Sequence, residues 1–347
     1  WAWIGLQPLA RWSPVLRLPR GEWASQGQGL AVQTANPGGT WVQLPEQHGV
    51  ASLPLERRPS SEQRTAVSAP AVRGPVTLST TADGGLVLIN KHLSVELGVA
   101  GVVQLWDGAG RPQLQAPIAL SRFRDHGEFW DAWDLPEDYR DHPLPVQWDA
   151  SSLDVVEAGP LVARVLMRAR VGESRVRVDC QLRADSAWLE LTCSVDWRQT
   201  HELLRLEVPL AQAAIRWAAD TSGGVITRPA RACTPGEQMR WEVPVISWCA
   251  TEAASPGGGL ALLLDGPQGV DATPDRLGVS LVRGATWPDP GADRGRHRQR
   301  LALMPTSQGW CRGGIPQAAI AFREPGWWGP AGLAEAQQWL PPLPDGL

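Results

Sequence analysis

The sequence predicts an all-β protein built from packed antiparallel sheets, and three observations predict it. Of the 347 residues, 36 are glycine and 31 are proline, a density that breaks long helices and favours short strands joined by turns. Apolar and polar residues alternate strictly through much of 161–197, which is the period of a half-buried strand. A hydrophobic fraction of 43% with 20% charged residues supplies enough apolar surface for a packed core.

The chain is predicted to divide into three parts. Residues 1–65 are expected to form a small β domain similar to a sandwich, and 66–330 a large antiparallel β supersandwich. Proline, serine and charged residues dominate 54–76, which indicates a linker or a long surface loop. Residues 331–347 are expected to be a short helical or extended tail, because the only helical pattern ends at Pro341.

Strands are assigned from the alternation and from turn residues. Two hairpins are predicted first, 76–78 with 86–89 and 91–97 with 101–107. Three successive strands in 161–197, separated by short turns, predict an antiparallel meander. Further strands are predicted at 203–210, 240–245, 259–264, 277–282 and 300–303.

Charge and hydropathy exclude several functions. A formal net charge of −4 offers no electrostatic footprint for nucleic acid or for an anionic membrane surface. No run of about 18 apolar residues occurs, so no transmembrane helix is predicted. We therefore expect neither a nucleic-acid partner nor a membrane partner.

The cysteines predict a reducing compartment. Their number, five, is odd and none is spaced as CxxC, which argues against a zinc ribbon and against a disulfide framework. Free thiols and a cytoplasmic location are the expectation. The chain begins Trp-Ala-Trp, without an initiator methionine or the regions of a signal peptide, so we expect a piece of a longer polypeptide.

The segment 125–134 (DHGEFWDAWD), continued by Tyr139 and His142, concentrates acidic, histidine and aromatic side chains. Carboxylates accept hydrogen bonds from hydroxyls and aromatic rings cover the C–H face of a sugar, so this mixture is typical of a saccharide site. A glycosidase acid–base pair and a metal site stay open as alternatives. The structural alternative makes Trp130 and Trp133 packing anchors, with the acids capping turns.

A second polar segment, 283–297 (RGATWPDPGADRGRH), is a long irregular connection between two predicted strands. Polar loops on a β scaffold commonly carry sites, and Asp293, Arg294 and His297 offer donors and acceptors to a polyol. The structural alternative is a turn cross-linked by an Asp–Arg pair.

Other motifs carry little chemistry. The segment 196–202 (DWRQTHE) places one histidine beside one acid and is interpreted as a structural turn. The three glycines at 257–259 do not open a helix after a strand, so they are not a phosphate loop. The sequence has no HExxH, GxSxG or cysteine-nucleophile signature.

Taken in order, these segments resemble the C-terminal β region of glycoside hydrolase family 38, the α-mannosidases. Residues 281–297 are very similar to the family's L-L-R-S-P-x-Y-P-D-P-x-A-D-x-G-x-H, with Gly284 in place of serine and Trp287 in place of tyrosine. The run 129–134 resembles Y-W-D-A-W-D. Further similar segments lie at 7–13, 89–107, 195–204 and 223–229.

The resemblance implies a retaining exo-α-mannosidase acting on terminal α-mannosides. Its catalytic aspartate and a divalent cation, zinc or another, are expected in an N-terminal α/β barrel of the same polypeptide. The six histidines of this chain include no His-x-Asp, so no catalytic residue, metal ligand or cofactor is assigned to it. By resemblance the chain is the β half, a small sandwich followed by a supersandwich similar to galactose mutarotase.

The same resemblance predicts a binding role for the second polar segment. The β half is expected to be inactive alone and to supply the rim of the cleft. The substrate-binding residues are then expected to be Asp289, Asp293, Arg294, Gly295 and His297. They are expected to reach toward the barrel and help bind the terminal mannose.

Two other functions stay open. A free-standing carbohydrate-binding β-sandwich would use Trp130 and Trp133, and it would bind mannose or mannan without a second domain. A mutarotase-like sugar epimerase would need an inward-facing histidine and carboxylate, such as His126 with Glu128 or Asp131.

Overall fold

A computed structural model of the chain describes residues 1–26, 28–58, 71–127, 131–254, 258–324 and 326–330. Antiparallel strands account for most of these residues, which confirms the predicted all-β fold. In the described part of the chain, no helix combines the length and the apolar character needed to cross a bilayer.

A small N-terminal unit contains three short sheets. Its strands are β1 (Ala2–Trp12), β2 (Val15–Leu18), β3 (Glu22–Ser25), β4 (Gln28–Gly29), β5 (Ala31–Thr34), β6 (Thr40–Gln43), β7 (Gln47–Pro54) and β8 (Glu56–Arg58). They pair as β1–β7, β2–β6–β5 and β4–β3–β8. The side chains of Trp3 and Trp23 fill the space between the sheets, and the two residues are 0% and 2% exposed.

The larger unit contains sheets of four, six and ten strands. Its strands are β9 (Thr77–Thr80), β10 (Leu86–Ile89), β11 (Leu93–Gly98), β12 (Gly101–Asp107), β13 (Ala119–Arg124), β14 (Pro143–Leu144), β15 (Gln147–Trp148), β16 (Asp154–Ala158), β17 (Val162–Val171), β18 (Ser174–Arg183), β19 (Leu189–Trp197), β20 (Glu202–Pro209), β21 (Ala214–Thr221), β22 (Gly224–Pro229), β23 (Val243–Val245), β24 (Trp248–Ala253), β25 (Leu260–Leu264), β26 (Gln268–Thr273), β27 (Arg276–Arg283) and β28 (Gly295–Pro305). The predicted hairpins, meander and further strands are confirmed, with ends that differ by a few residues.

The order of strands differs from the order in the chain. The four-stranded sheet runs β12–β11–β10–β9, and the six-stranded sheet runs β14–β13–β20–β27–β26–β23. The ten-stranded sheet runs β15–β17–β18–β19–β28–β25–β24–β21–β22, with β16 paired to β17. Alternation directs one face inward: Val165, Cys180 and Leu191 lie opposite one another in register and are almost completely buried. One continuous apolar core joins the three sheets.

In the described part of the chain the helices are few and short: a 3-10 turn (Tyr139–Asp141), α1 (Pro235–Gln238), α2 (Gly309–Arg312) and α3 (Ile315–Arg323). The expectation that only the 331–340 segment has a helical pattern was wrong, because α3 forms outside it; 331–347 lies outside the described residues. Ile315, Ala318 and Phe322 face β24 and β25 and are buried. This spacing is the helical period and was readable in the sequence.

The predicted linker 54–76 is wrong in its first part, because Glu56–Arg58 is strand β8 paired with β3. An edge strand tolerates charged residues, which is why composition alone indicated a loop there. Residues 59–70 lie outside the described part of the chain. The last strand, β29 (Trp327–Gly329), returns to the small unit and pairs with β1.

The small unit packs on the polar face of the ten-stranded sheet. The Glu157 carboxylate accepts hydrogen bonds from the Asn36 amide (2.7 Å) and from the Trp41 indole (3.1 Å). The Gln33 side chain accepts the amides of Leu161 and Val162 at 2.7 and 2.9 Å. These contacts cover one end of that face, near the start of β17, and leave the opposite end open.

Candidate functional site

The two polar segments selected from the sequence both begin where a strand of the six-stranded sheet ends, and these strand ends lie on the same side of the sheet. Strands β13, β20 and β27 are neighbours, with Arg124 opposite Glu202 and Leu203 opposite Arg283. The first segment follows β13 and the second follows β27. Strand pairing therefore brings 125–134 beside 283–297, although they are far apart in the chain.

A buried ion pair joins the two segments at their base. Asp125 is 0% exposed, and its carboxylate accepts Nε and Nη2 of Arg283, the latter at 3.0 Å from Oδ1. Arg283 also donates to the carbonyl oxygen of Asp134. The Asp125 amide donates to the His201 carbonyl (2.8 Å), and the His201 amide donates to the Gly284 carbonyl (2.7 Å). A bidentate charged pair of this kind fixes both position and orientation.

A second buried carboxylate holds the next turn of the loop. Asp131 is 4% exposed, and its Oδ2 accepts the amides of Thr286 (2.7 Å) and Trp287 (3.0 Å) together with the Thr286 hydroxyl (3.2 Å). Burial raises the pKa of Asp131, but these donors outweigh it, so the pKa lies below its usual value. Asp131 therefore stays ionised and positions the loop backbone.

Two exposed tryptophans lie above these carboxylates. Trp133 is 62% exposed and Trp287 is 55% exposed, and their ring centroids are 5.1 Å apart with an angle of 64° between the rings. Apolar side chains of this size are seldom left in water, since burial of each one stabilises a protein by about 2 kcal/mol. We call this pair the tryptophan platform. Its geometry suits contact with the C–H face of a sugar ring.

The predicted substrate-binding residues Asp289, Asp293 and Arg294 lie on the turn after the platform, and Gly295 and His297 lie at the start of β28. Asp289 is exposed and accepts the amide two residues later at 2.9 Å. His297 is half-buried in β28, with Nε2 2.6 Å from the Asp293 carbonyl oxygen. Gly295 has φ +136°, in the region that favours glycine. Arg294 is exposed, and no ion pair joins it to either aspartate among the described residues, so an Asp–Arg cross-link does not form this turn.

Sequence reasoning missed how His201 takes part. Its left-handed backbone (φ 52°) confirms the predicted turn, but its ring also enters the site, with Nε2 3.1 Å from the Thr286 hydroxyl and Nδ1 4.0 Å from Asp131. The only sequence signal for this was a single histidine beside an acid, which is too weak to predict where the ring lies. The acid beside it, Glu202, instead pairs with Arg122 at 2.6 Å.

The His126–Asp131 pair that a mutarotase-like epimerase would need does not form. The His126 ring contacts His142 edge-on at 5.1 Å between centroids, and Asp131 faces Thr286 instead. Two carboxylates of the loop are also engaged as structural acceptors, so they are unsuited to act as an acid–base pair. Glu128, Phe129 and Trp130 lie outside the described residues.

The site does not fit a metal ion. Within the ranges that the structure describes, no three histidine, cysteine, aspartate or glutamate side chains converge as a ligand set. The nearest buried carboxylates, Asp125 and Asp131, already accept a guanidinium and two amides. We therefore derive no chemical step at this site through a metal.

Comparison with known proteins defines the class as the β region of a glycoside hydrolase. The chain belongs to the glycosyl hydrolases family 38 C-terminal domain family, whose family model matches residues 88–291. That match contains the whole of the first polar segment and residues 283–291 of the second.

Relatives extend the similarity beyond the matched domain. The chain is 27% identical over 293 residues to Alpha-mannosidase 2C1 of Homo sapiens, covering 81% of this chain and 28% of that protein. It is 26% identical over 323 residues to Alpha-mannosidase G of Dictyostelium discoideum, and the similarity covers 89% of this chain and 28% of that protein. The chain thus spans about 28% of the length of these relatives.

A solved structure shares the fold. The α-mannosidase from Enterococcus faecalis V583 superimposes with a TM-score of 0.63 at 12% identity, covering 93% of this chain and 45% of that one. At this identity the likeness supports the architecture alone.

Proposed function

We propose that this chain is the C-terminal part of a retaining exo-α-mannosidase that hydrolyses terminal α-mannosides. Family membership carries the proposal, together with relatives that are α-mannosidases and are several times longer than this chain. The nucleophile and the divalent cation, zinc or another, are placed in an N-terminal catalytic barrel of the same polypeptide. This chain alone is then inactive.

The role proposed for the chain is substrate binding at the rim of the cleft. Arg294 is exposed and donates hydrogen bonds to sugar hydroxyls, while Asp289 and Asp293 accept them. The tryptophan platform contacts the apolar face of a sugar ring. Buried Asp131 keeps the loop in place and, because its pKa is lowered and its Oδ2 is occupied by donors, it does not transfer protons.

The first experiment compares the purified 347-residue chain with a longer polypeptide that includes the preceding domain. Both are assayed on an aryl α-mannoside with added zinc, calcium or cobalt and with a chelator. Turnover by the longer polypeptide only is the expected result. Metal-dependent turnover by the short chain would place catalytic carboxylates here and overturn the assignment.

The second experiment tests Arg294 within the longer polypeptide. Arg294→Ala is expected to lower kcat/KM about tenfold or more, because it removes a charged hydrogen bond to the substrate. Arg231→Ala, at another exposed arginine, serves as the matched control with unchanged kinetics. Wild-type kinetics for Arg294→Ala would show that Arg294 does not take part in substrate binding.

One observation favours a second candidate function, free-standing carbohydrate binding. The platform residues Trp133 and Trp287 are both more than half exposed and adjacent, as a stacking surface requires. Retardation of the isolated chain in a gel containing mannan would support this function if Trp133→Ala and Trp287→Ala each abolish it. Met239→Ala, at a side chain that is 73% exposed, is the control.

We further propose a cytoplasmic location. All five cysteines are free, and Cys233 and Cys311 are exposed, a state that a reducing compartment preserves. Cell fractionation followed by immunoblotting tests this; recovery in a secreted or lumenal fraction would contradict it.

A further inference from the structure

The open end of the polar face of the ten-stranded sheet forms a groove on β17, β18, β19 and β28. Its wider part is a cavity of about 890 Å³, which a second cavity of about 830 Å³ continues toward the small unit. The charged residues that line the wider part are Arg168, Arg170, Arg175, Arg177, Arg296 and Arg298, with Asp149 and Asp196. We call it the arginine groove. It is strongly basic on a chain whose formal net charge is −4.

Strand register sets like charges against one another in this groove. Arg170 lies directly opposite Arg175, and Arg168 lies directly opposite Arg177. Like charges at opposed positions of adjacent strands destabilise a sheet. Arg168 and Arg177 each have an aspartate partner, at 2.5 and 2.9 Å. Among the described residues, neither Arg170 nor Arg175 has such an ion-pair partner.

Several arginines of the groove are exposed and have no carboxylate partner within the described ranges. These are Arg170, Arg175, Arg296 and Arg298. Asp196 lies in register between two of them but pairs with Arg198 at 3.0 Å. The groove therefore keeps uncompensated positive charge, which a concave surface concentrates.

The walls indicate what kind of ligand would supply the negative charge. Guanidinium groups bind the oxygens of phosphate and sulfate through paired hydrogen bonds. At one end Gln147 lies opposite Arg170 in register, whereas the indole of the next residue, Trp148, packs against the core. The exposed amide of Gln147 and the half-buried hydroxyl of Ser194 line the groove and are groups that hydrogen-bond to a sugar. A cavity of this volume suits a small ligand, whereas protein partners favour flatter surfaces.

We propose that the arginine groove binds a saccharide that carries a phosphate or sulfate ester. The ester lies among Arg170, Arg175, Arg296 and Arg298, and the sugar extends toward Gln147. Binding would relieve the repulsion between Arg170 and Arg175. The proposal does not depend on the α-mannosidase assignment, because this chain alone is expected to bind.

Isothermal titration calorimetry on the 347-residue chain tests the proposal. The probes are mannose 6-phosphate, mannose 6-sulfate, inorganic phosphate and mannose, each at low salt. At least one ester is expected to bind at least tenfold more tightly than mannose and than inorganic phosphate. Added sodium chloride is expected to weaken this binding, because salt screens exposed charges.

Matched variants locate the ligand. The double variant Arg170→Gln with Arg175→Gln is expected to lose at least tenfold in affinity, whereas Arg231→Gln retains it. The double variant also removes the opposed charges, so its melting temperature is expected to equal or exceed that of the wild type, which separates ligand binding from a structural role. Arg298→Gln, a single change on β28, gives an independent test if the double variant does not fold.

Three outcomes would overturn the proposal. Mannose binding as tightly as the esters would indicate a neutral sugar site. If inorganic phosphate binds as tightly as the esters, the groove recognises the anion alone and not a saccharide. Loss of association with the preceding domain in the arginine variants, with no ester binding by the wild type, would make the groove a protein interface.

Discussion

Replacing Asp131 by alanine tests whether one buried carboxylate holds the candidate site together. The change removes the acceptor of the Thr286 and Trp287 amides, which lie 2.7 and 3.0 Å from Oδ2. Hydrogen bonds to a charged group are each worth about 1.5–3 kcal/mol, so the loss of two costs about 3 kcal/mol or more. The loop that carries the tryptophan platform is then expected to open locally.

Hydrogen–deuterium exchange at the Thr286 and Trp287 amides measures this opening. A cost of about 3 kcal/mol corresponds to exchange that is roughly a hundredfold faster. Asp289→Ala is the matched control, because this exposed carboxylate in the same loop accepts a single amide. If both amides exchange in Asp131→Ala at the wild-type rate, the carboxylate does not hold the loop and the reasoning fails.

The same carboxylate makes the loop sensitive to acid. Because the pKa of Asp131 is lowered in the folded protein, its stabilisation is complete above the pKa of an ordinary aspartate and is lost as the pH falls through the lowered value. Exchange protection of the two amides is therefore expected to decline only below the pKa of an ordinary aspartate. A decline that begins at neutral pH would contradict this reasoning.

Two further predictions concern the remainder of the chain. Glu157→Ala is expected to lower the free energy of unfolding by about 2–4 kcal/mol in urea, since it leaves the partly buried amide of Asn36 and the buried indole N–H of Trp41 without an acceptor; Glu173→Ala, at an exposed position, is the control. Only the two exposed cysteines are expected to react with Ellman's reagent in the native protein, because burial raises the pKa of Cys193 to about 12 and the other buried thiols are shifted in the same direction. Reaction of more than two thiols before unfolding would contradict that.

Local pattern was sufficient for the meander and insufficient for the helix. Strands β18 and β19 alternate apolar and polar residues almost throughout, and β17 does so from Met167 to Val171, so most of their buried faces were predictable from spacing alone. Helix α3 spans nine residues and begins after two glycines, and no helix was predicted there despite its helical spacing. The edge strand β8 was missed because its residues are charged. Charged residues are tolerated on an edge strand but lack the apolar pattern by which a core strand is recognised.

The two polar segments of the site could be predicted from the sequence, but their proximity in the folded protein could not. Composition identified 125–134 and 283–297, and resemblance added Asp289 to His297 as binding residues, a role that stays a prediction. Neither composition nor resemblance revealed that Asp125 pairs with Arg283 or that Trp133 contacts Trp287. Those contacts depend on β13, β20 and β27 being neighbours, which no local window of sequence contains.

The sequence by itself determined the all-β class, the inward faces of the strands and the family to which the chain belongs. Each of these depends on the identity and spacing of residues that are close together in the chain. Only the tertiary structure decided that β28 lies beside β19, which sets Arg296 and Arg298 next to the arginines of the meander. Pairing between strands separated by many residues is decided by the energy of the whole core, so both the tryptophan platform and the arginine groove appear only after the chain has folded.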